Sequence, residues 1–199
     1  MATSKRDLPA PTARNSVRII AGVWRGRRVH FPDMPELRPT PDRVRETLFN
    51  WLQHSIAETR CLDLFAGSGA LGLEALSRGA KDVVFVEQLP AAARSLQEQL
   101  ARFGGAGRGH VMAMGAVRFL HTQPEPFDIV FLDPPFGRDA LREYIPMLDE
   151  GNWLTHGSLV YLENERVAGV PALPAHWELL KSKSAGEVGY HLARVNGRK

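Results

Sequence analysis

The stretch FDIVFLDPPF, residues 127–136, determines how the surrounding chain can fold. Its apolar run, residues 129–132, contains β-branched and aromatic side chains and is typical of a strand buried on both faces of a parallel sheet. The two prolines that follow lack N–H groups and restrict φ, so the strand must end at Asp133. Ligands of open α/β sheets bind at the carboxyl ends of the strands. Asp133 is therefore a candidate site residue, although a lone Asp-Pro-Pro sequence is more often an ordinary turn.

A glycine-rich motif within residues 61–87 favours a site role for Asp133 over an ordinary turn. The order is a strand, a glycine-rich turn, a helix and a second buried strand that ends at Glu87. Gly67, Gly69 and Gly72 match G-x-G-x-x-G, and Glu87 follows Gly67 by twenty residues, which is the spacing of a dinucleotide-binding site. Glycines let the backbone approach a ligand, and an acid at the tip of the next strand can bind ribose hydroxyls.

Asp63, which precedes the glycine turn, distinguishes between two cofactors. A carboxylate there would lie unfavourably close to the pyrophosphate of NAD, but it could orient the turn or contact the ammonium group of an amino-acid moiety. The pattern therefore favours S-adenosylmethionine. An NAD-dependent reductase is the weakest alternative.

Positive charge is concentrated at the start of the chain. The net charge is +3, but residues 1–54 hold ten Lys or Arg against five Asp or Glu, whereas the remainder holds 15 against 17. This asymmetry indicates a phosphate-rich partner, or else a solubilising tail. Residues 1–15 are polar and basic, and we expect them to be disordered until bound.

Residues 17–31 predict two short strands around a glycine-containing turn. The turn carries Trp24 together with three arginines, Arg25, Arg27 and Arg28. Arginine beside an exposed aromatic side chain is the composition that binds a phosphate backbone and stacks on unpaired bases. The alternative is a solvated hairpin with Trp24 folded back onto the body. The charge asymmetry favours the nucleic-acid interpretation.

The next segment has the signals of a helix start. Thr40 is predicted as the N-cap and Pro41 as the first helical residue, and apolar residues then recur at helical spacing. Arg38, Arg43 and Arg45 cluster at the start of this helix and could bind an anion. Surface solvation is equally compatible with each one singly.

The composition is that of a soluble globular protein, with 199 residues, 44% of them apolar and 24% charged, which allows one full domain. The single cysteine, Cys61, excludes an intrachain disulfide and a cysteine zinc cluster, and we expect it to be a small buried hydrophobic residue and not a nucleophile. The seven histidines show no metal-ligand spacing, so no metal is expected. The first residues lack an apolar signal core, and no run approaches the roughly 20 apolar residues of a membrane span, which predicts a cytoplasmic protein.

Strands and helices alternate from about residue 61 to residue 162, and a closing pair of strands follows at 177–180 and 190–195. This order predicts an α/β fold, namely a doubly wound, mostly parallel sheet with one antiparallel strand. The sequence contains no internal repeat and no low-complexity segment.

Two motifs, DLFAGSG from Asp63 with Glu87 and DPPF from Asp133, together resemble class I S-adenosylmethionine-dependent methyltransferases that act on an exocyclic amine. From about Arg18 onward the chain resembles something narrower, the bacterial RsmD family, which methylates the guanine N2 of 16S ribosomal RNA. Four motifs occur in the same order: RIIAGVWRGRR from Arg18, RPTPDRVRETLFNW from Arg38, LDLFAGSGALGLEAL from Leu62, and the Asp133 motif.

The resemblance implies a Rossmann-like, seven-stranded sheet with an antiparallel last strand and an N-terminal β-hairpin extension. It divides the chain into the disordered basic tail at 1–15, a hairpin and helix at 16–55 that face RNA, and an S-adenosylmethionine-dependent methyltransferase domain at 56–199. The implied substrate is 16S rRNA or the small ribosomal subunit, methylated on a specific unpaired guanine. The protein is expected to be a monomer.

The resemblance also implies roles for individual residues. Asp133 and the Pro134 carbonyl would accept the two hydrogens of the amine, and Phe136 would stack on the extruded base. The implied cofactor-binding residues, the last two acting through backbone groups, are Asp63, Phe65, Gly67, Gly69, Glu87, Gly115 and Ala116. The implied substrate-binding residues are Trp24, Arg25, Arg27, Arg28, Arg38, Thr40, Arg43 and Pro135.

Two further interpretations stay open at this point. The Asp-Pro-Pro-aromatic turn also resembles that of adenine N6 and protein glutamine methyltransferases, so only the family-wide resemblance selects guanine. A non-catalytic RNA-binding scaffold is the alternative from another class of protein. Binding alone, however, would not require Asp133, Glu87 and the glycine turn together.

Overall fold

An N-terminal β-hairpin precedes the main body of the protein. It is seen in a computed structural model that describes residues 15–33, 39–135 and 140–197. The hairpin and the helix that follows it are β1 (Asn15–Arg18), β2 (Arg28–Phe31) and α1 (Asp42–Trp51). Because β1 and β2 pair antiparallel, the predicted hairpin extension is confirmed. The predicted basic tail, apart from Asn15, lies outside the described residues.

A seven-stranded mixed sheet forms the body. Its strands are β3 (Arg60–Asp63), β4 (Asp82–Val86), β5 (Gly109–Met112), β6 (Phe127–Leu132), β7 (Leu154–Glu165), β8 (Trp177–Ala185) and β9 (Val188–Val195). The spatial order is β5-β4-β3-β6-β7-β9-β8, in which β9 runs antiparallel to both of its neighbours. The other neighbouring pairs are parallel. The chain order reverses between β3 and β6, which is the switch point where ligands of such sheets bind.

Four helices connect the strands and cover both faces of the sheet. They are α2 (Ala70–Ser77), α3 (Pro90–Phe103), α4 (Ala116–Leu120) and α5 (Leu141–Glu150). Because successive strand side chains point to opposite faces, each strand contributes to two cores. Phe85 and Phe131 pack on the side of α1, α2 and α3, whereas Val130 and Leu132 pack on the side of α4 and α5. The doubly wound fold is thus confirmed, and it explains the unbroken apolar run at 129–132.

Gly72 lets α2 lie directly on the sheet. Every residue of α2 is buried, and a Cβ at Gly72 would overlap the ring of Phe85 on β4. The third glycine of the motif therefore serves the packing of helix against strand.

The hairpin turn is docked against the end of α2. The N–H of Val23 donates to the Ser77 carbonyl at 2.8 Å, and the N–H of Trp24 donates to Ser77 Oγ at 2.9 Å. Gly22 has a φ of 81°, and a Cβ there would overlap the Ser77 carbonyl oxygen. Only glycine permits this conformation and this approach without strain.

The expectation of an exposed Trp24 is wrong. Its side chain is 4% exposed, and its ring lies against Phe103 at the end of α3, with the ring centroids 5.3 Å apart. An indole removes a large apolar area from water when it is buried, so the free protein gains more by packing this ring than by exposing it. Trp24 therefore anchors the hairpin and is not available to stack on a base.

The closing strands are longer than the sequence predicted. Pairing between β8 and β9 continues through residues 181–184 to the turn before Val188. Residues 181–184 are exposed and polar, so they carry no apolar alternation that would mark a strand. The backbone ladder with β9 holds them in the sheet instead. Over the ranges that the structure describes, the helices are too short or too polar to cross a membrane.

Candidate active site

Four carboxyl groups meet at the carboxyl edge of the sheet. Asp63, Glu87, Asp133 and Glu163 lie at or near the ends of β3, β4, β6 and β7, and their charges interact. Three of them are buried, while Asp133 is half-buried. Burial and neighbouring negative charge both disfavour ionisation, whereas donated hydrogen bonds favour it. The hydrogen-bond partners therefore distinguish these four groups.

Glu87 joins the glycine turn to the start of α3. Its Oε2 accepts the N–H of Gly67 at 2.8 Å, and its Oε1 accepts the N–H of Leu89 at 2.7 Å. Gly67 and Gly69 both have positive φ, 52° and 76°, which allows the chain to turn tightly beneath a ligand. Each Glu87 oxygen keeps a second lone pair that can accept another hydrogen bond.

Asp63 orients the helix that follows the glycine turn. Its Oδ2 accepts the N–H of Gly72, in the first turn of α2, at 2.9 Å. The pKa of Asp63 is raised to about 7, mainly by burial and less by the charges of Asp133 and Glu87, while the Gly72 hydrogen bond opposes the increase. Of the two roles offered from the sequence, orientation of the turn has this direct contact. Contact with a cofactor ammonium group stays a prediction.

Asp133 lies one residue beyond Leu132, the last residue of β6 that pairs with β7. Leu132 lies opposite Leu162 in this parallel pair, so Asp133 comes next to Glu163. Burial raises the pKa of Asp133 to about 6, and a hydrogen bond from Thr40 opposes the increase. Asp133 is therefore mostly ionised at neutral pH.

Thr40 provides that hydrogen bond, with its Oγ1 3.2 Å from Asp133 Oδ2. The prediction that Thr40 is the N-cap of α1 is wrong, since the helix begins at Asp42 and Pro41 occupies the cap position. The hydroxyl of Thr40 instead donates to Asp133, which lies 93 residues later in the chain.

Glu163 is a site residue that the sequence reasoning missed. The Tyr161 hydroxyl donates to its Oε2 at 2.8 Å. Burial and the charge of Asp133 together raise the pKa of Glu163 to about 9, and the Tyr161 hydrogen bond opposes the increase. Glu163 is therefore neutral at pH 7. A signal was present, because Glu163 follows the apolar run 159–162 just as Asp133 follows 129–132.

A cleft of about 630 Å³ opens beside Glu163 and the two prolines that follow Asp133. Pro134 and Pro135 form one side, and the end of β7, including Glu163, forms another. The apolar lining continues through Leu141, at the start of α5, and Val170. The size is within the range of small-molecule and cofactor sites.

The remaining predicted cofactor residues lie around the same edge. Phe65 follows β3 and packs edge-on against Tyr144 of α5, with the ring centroids 4.9 Å apart. Gly115 and Ala116 begin α4, just after β5. A Cβ on Gly115 would meet only the side chain of Gln88, at an ordinary distance of 3.8 Å. Their cofactor contacts stay predictions.

The predicted substrate residues fall into several groups. Arg25, Arg27 and Arg28 are exposed on the hairpin, and Arg43 is exposed on α1. The Arg27 guanidinium lies over the ring of Phe103, 5.3 Å from its centroid. Pro134 is buried, whereas Pro135 is exposed at the cleft. Arg38 and Phe136 lie outside the described residues.

Comparison with known proteins identifies the family. The family model described as Conserved hypothetical protein 95 matches residues 17–194. The chain is 48% identical, over 184 residues and 92% of each chain, to Ribosomal RNA small subunit methyltransferase D of Escherichia coli K12. It is 44% identical over 190 residues to the protein of the same name from Haemophilus influenzae, covering 94% of this chain and 98% of that one. The chain belongs to the RsmD family of methyltransferases.

A solved structure agrees with this assignment. The structure described as putative methyltransferase yhhF from Escherichia coli matches the RsmD-family chain with a TM-score of 0.86 and 45% identity, covering 92% of this chain and all of that one. The resemblance indicated by the four motifs is therefore confirmed. The sheet has the class I methyltransferase fold with its antiparallel last strand.

Proposed function

We propose that this protein transfers a methyl group from S-adenosylmethionine to the exocyclic N2 of a specific unpaired guanine in 16S rRNA of the small ribosomal subunit. The observation that carries the proposal is the position of Asp133 at the end of β6, on an Asp-Pro-Pro turn next to the strand that leads into the glycine motif. The relatives' names, which refer to the small ribosomal subunit, support the RNA substrate.

Asp133 addresses the main chemical difficulty of the reaction. The lone pair of guanine N2 is delocalised into the ring, so the nitrogen is a poor nucleophile in its planar form. Asp133 and the Pro134 carbonyl accept the two amine hydrogens and hold the nitrogen in line for attack, which favours the tetrahedral geometry of the transition state. After transfer, one of these protons leaves the nitrogen through Asp133, whose pKa of about 6 suits a temporary acceptor at neutral pH.

The residues around the glycine turn fit S-adenosylmethionine, whose sulfonium supplies an electrophilic methyl group when it is bound. Gly67 is partly exposed, so its backbone can approach a ligand, and the free lone pairs of Glu87 suit ribose hydroxyls. Asp63 and Phe65 complete the side near β3, and Gly115 and Ala116 offer backbone groups to the adenine.

The exposed arginines of the hairpin and α1 would bind RNA phosphates, while the cleft beside Pro135 accepts the extruded base. Extrusion costs less from a loop than from a duplex, so an unpaired guanine is the expected target. Phe136 would stack on that base. We further propose that the protein acts as a monomer in the cytoplasm.

Transfer of labelled methyl groups tests the proposal. Wild-type protein is incubated with labelled S-adenosylmethionine and small ribosomal subunits from cells that lack it, and the RNA is digested to nucleosides. N2-methylguanosine at one position is the expected product. N6-methyladenosine would keep the chemistry but overturn the base, and label in protein would overturn the RNA substrate. Absence of transfer to subunits and to free RNA would favour a non-catalytic scaffold.

A further inference from the structure

Thr40 reaches the active site from outside the sheet. It is 5% exposed and precedes α1, yet its hydroxyl is 3.2 Å from Asp133 Oδ2. Within the described residues, Thr40 is the group that donates a hydrogen bond to Asp133. A hydroxyl that donates to one carboxylate oxygen restricts rotation of the carboxylate and leaves the other oxygen for a second partner.

A buried arginine fixes Thr40 in turn. Arg45 is fully buried, and its Nε donates to the Thr40 carbonyl at 3.2 Å. Its Nη2 donates to Asp42 Oδ1 at 2.6 Å and to the Arg18 carbonyl at 2.9 Å. Because the guanidinium is planar and its donors have a fixed geometry, these contacts hold the backbone around Thr40 in one position.

Glu74 of α2 anchors this arrangement to the body. It is fully buried, with its Oε2 3.6 Å from Arg45 Nη1. Its two oxygens also accept the N–H groups of Ile20 at 2.8 Å and Ala21 at 3.0 Å, and Oε1 accepts from Arg78 Nε at 2.7 Å. A buried ion pair with further hydrogen bonds on both partners is costly to break, so Thr40 has a rigid support.

Within the described residues, the other groups around Asp133 make no hydrogen bond to it. Glu163 and Tyr161 face it from β7, and Asp63 approaches from β3. The Tyr161 hydroxyl donates to Glu163, and Asp63 and Glu163 add negative charge whenever they ionise. Thr40 therefore acts against the surroundings that would neutralise Asp133.

We propose that Thr40 is a positioning residue for methyl transfer, which holds the Asp133 carboxylate oriented toward the acceptor amine, with Arg45 as its support. This inference rests on the proposed role of Asp133. It replaces the sequence-based assignment of Thr40 to substrate binding, because the hydroxyl is committed to Asp133.

Two matched variants test this inference. Thr40→Val keeps the shape of the side chain but lacks the hydroxyl, whereas Thr40→Ser keeps the hydroxyl. With subunits as substrate, Thr40→Val is expected to lower kcat by about 10-fold to 100-fold with little change in KM, because a misoriented group loses transition-state stabilisation. The acid limb of its pH profile should move to higher pH, since the contact that lowers the pKa of Asp133 is gone. Thr40→Ser should restore most of kcat and the wild-type limb.

Titration of the Asp133 carboxyl by ¹³C NMR provides a readout that needs no substrate, with Asp133→Asn to assign the resonance. A higher pKa in Thr40→Val than in the wild type and Thr40→Ser is expected. Unchanged kcat and pKa in Thr40→Val would overturn the inference, as would a rise in KM alone, which would return Thr40 to substrate binding. If the wild type transfers no methyl group, the proposed function fails and the catalytic role fails with it, while the pKa comparison still reports whether Thr40 controls Asp133.

Discussion

Asp133 and Glu163 lie side by side at the tips of adjacent parallel strands, but they differ in charge at neutral pH. Each follows a buried apolar run at the same edge of the sheet. Burial raises the pKa of Asp133 to about 6, and the hydrogen bond from Thr40 opposes this increase. Glu163 is almost completely buried beside Asp133, and its pKa rises to about 9.

The difference shows how a sheet edge can hold two acids in separate states. Two close carboxylates resist ionising together, so the charge of Asp133 raises the pKa of Glu163. Glu163 therefore stores a proton and remains neutral. The charged member can then accept hydrogens from a substrate amine.

Replacing Asp133 is expected to have the largest effect. Asp133→Ala should lower kcat by about 10³-fold or more, because it removes an acceptor that acts on the reacting nitrogen. Asp133→Asn keeps an acceptor oxygen without the charge and should lose less, about 10-fold to 100-fold. Single-turnover methyl transfer measures the loss, and RNA and cofactor binding serve as controls. Equal loss of binding and transfer in Asp133→Ala would contradict the assigned role.

The second test uses pH to remove the charge of Asp133. Its carboxylate is the active form, so kcat should increase with pH through about 6 and decrease about tenfold per unit well below that value. Asp133→Asn has no proton to gain there, and its profile should be flat in this range. An acid limb of the same size in both proteins would assign the titration to another group.

Glu163→Gln tests the neutral member of the pair through stability. Since the pKa of Glu163 is raised by folding, its proton stabilises the folded state fully below the ordinary value of 4.5 and progressively less as pH rises through about 9. Glutamine resembles the protonated form and does not titrate. The melting temperature of the wild type should therefore fall relative to Glu163→Gln between pH 5 and pH 9, by calorimetry at matched ionic strength. Asp63 and Asp133 titrate in both proteins, so the comparison isolates Glu163. A difference in melting temperature that does not change with pH would mean that Glu163 is already charged at neutral pH.

Tyr161→Phe should have the smallest effect. It removes one hydrogen bond to Glu163 Oε2, which is worth about 1 kcal/mol of unfolding free energy. The pKa of Glu163 should rise further, because that hydrogen bond lowers it. Denaturant titration at pH 7 measures the loss, with Glu163→Gln/Tyr161→Phe as the double mutant. Additive losses would show that the two side chains do not interact.

Local sequence patterns predicted most of the fold and part of the site. The alternation of strands and helices predicted a doubly wound, mostly parallel sheet, and the family resemblance added its seven strands and its antiparallel last strand. Strand ends placed Glu87 and Asp133 at one edge. Glu163 was missed although it follows the same local pattern, because no motif drew attention to its strand. These features depend on residues close together in the chain, where spacing is informative.

Contacts between distant segments could not be predicted in this way. Trp24 has the composition of an RNA contact and is a core residue, since Phe103 offers it a partner 79 positions later in the chain. Thr40 has the signature of a helix cap, but the hydroxyl is used by Asp133. Arg45 was grouped with surface arginines, yet Glu74 and two backbone carbonyls surround it. Tertiary partners overrode local preference at each of these positions.

The contact of Gly22 with Ser77 has a consequence for how RNA must approach. Where two backbones touch without room for a side chain, the hairpin cannot swing on α2 as a hinged arm would. The exposed arginines of its turn then stay at a fixed distance from Asp133. An RNA can contact the arginines and place a guanine at Asp133 only if its phosphates lie at that distance from the guanine. We therefore expect the choice of nucleotide to depend on the fold of the RNA as well as on the identity of the base.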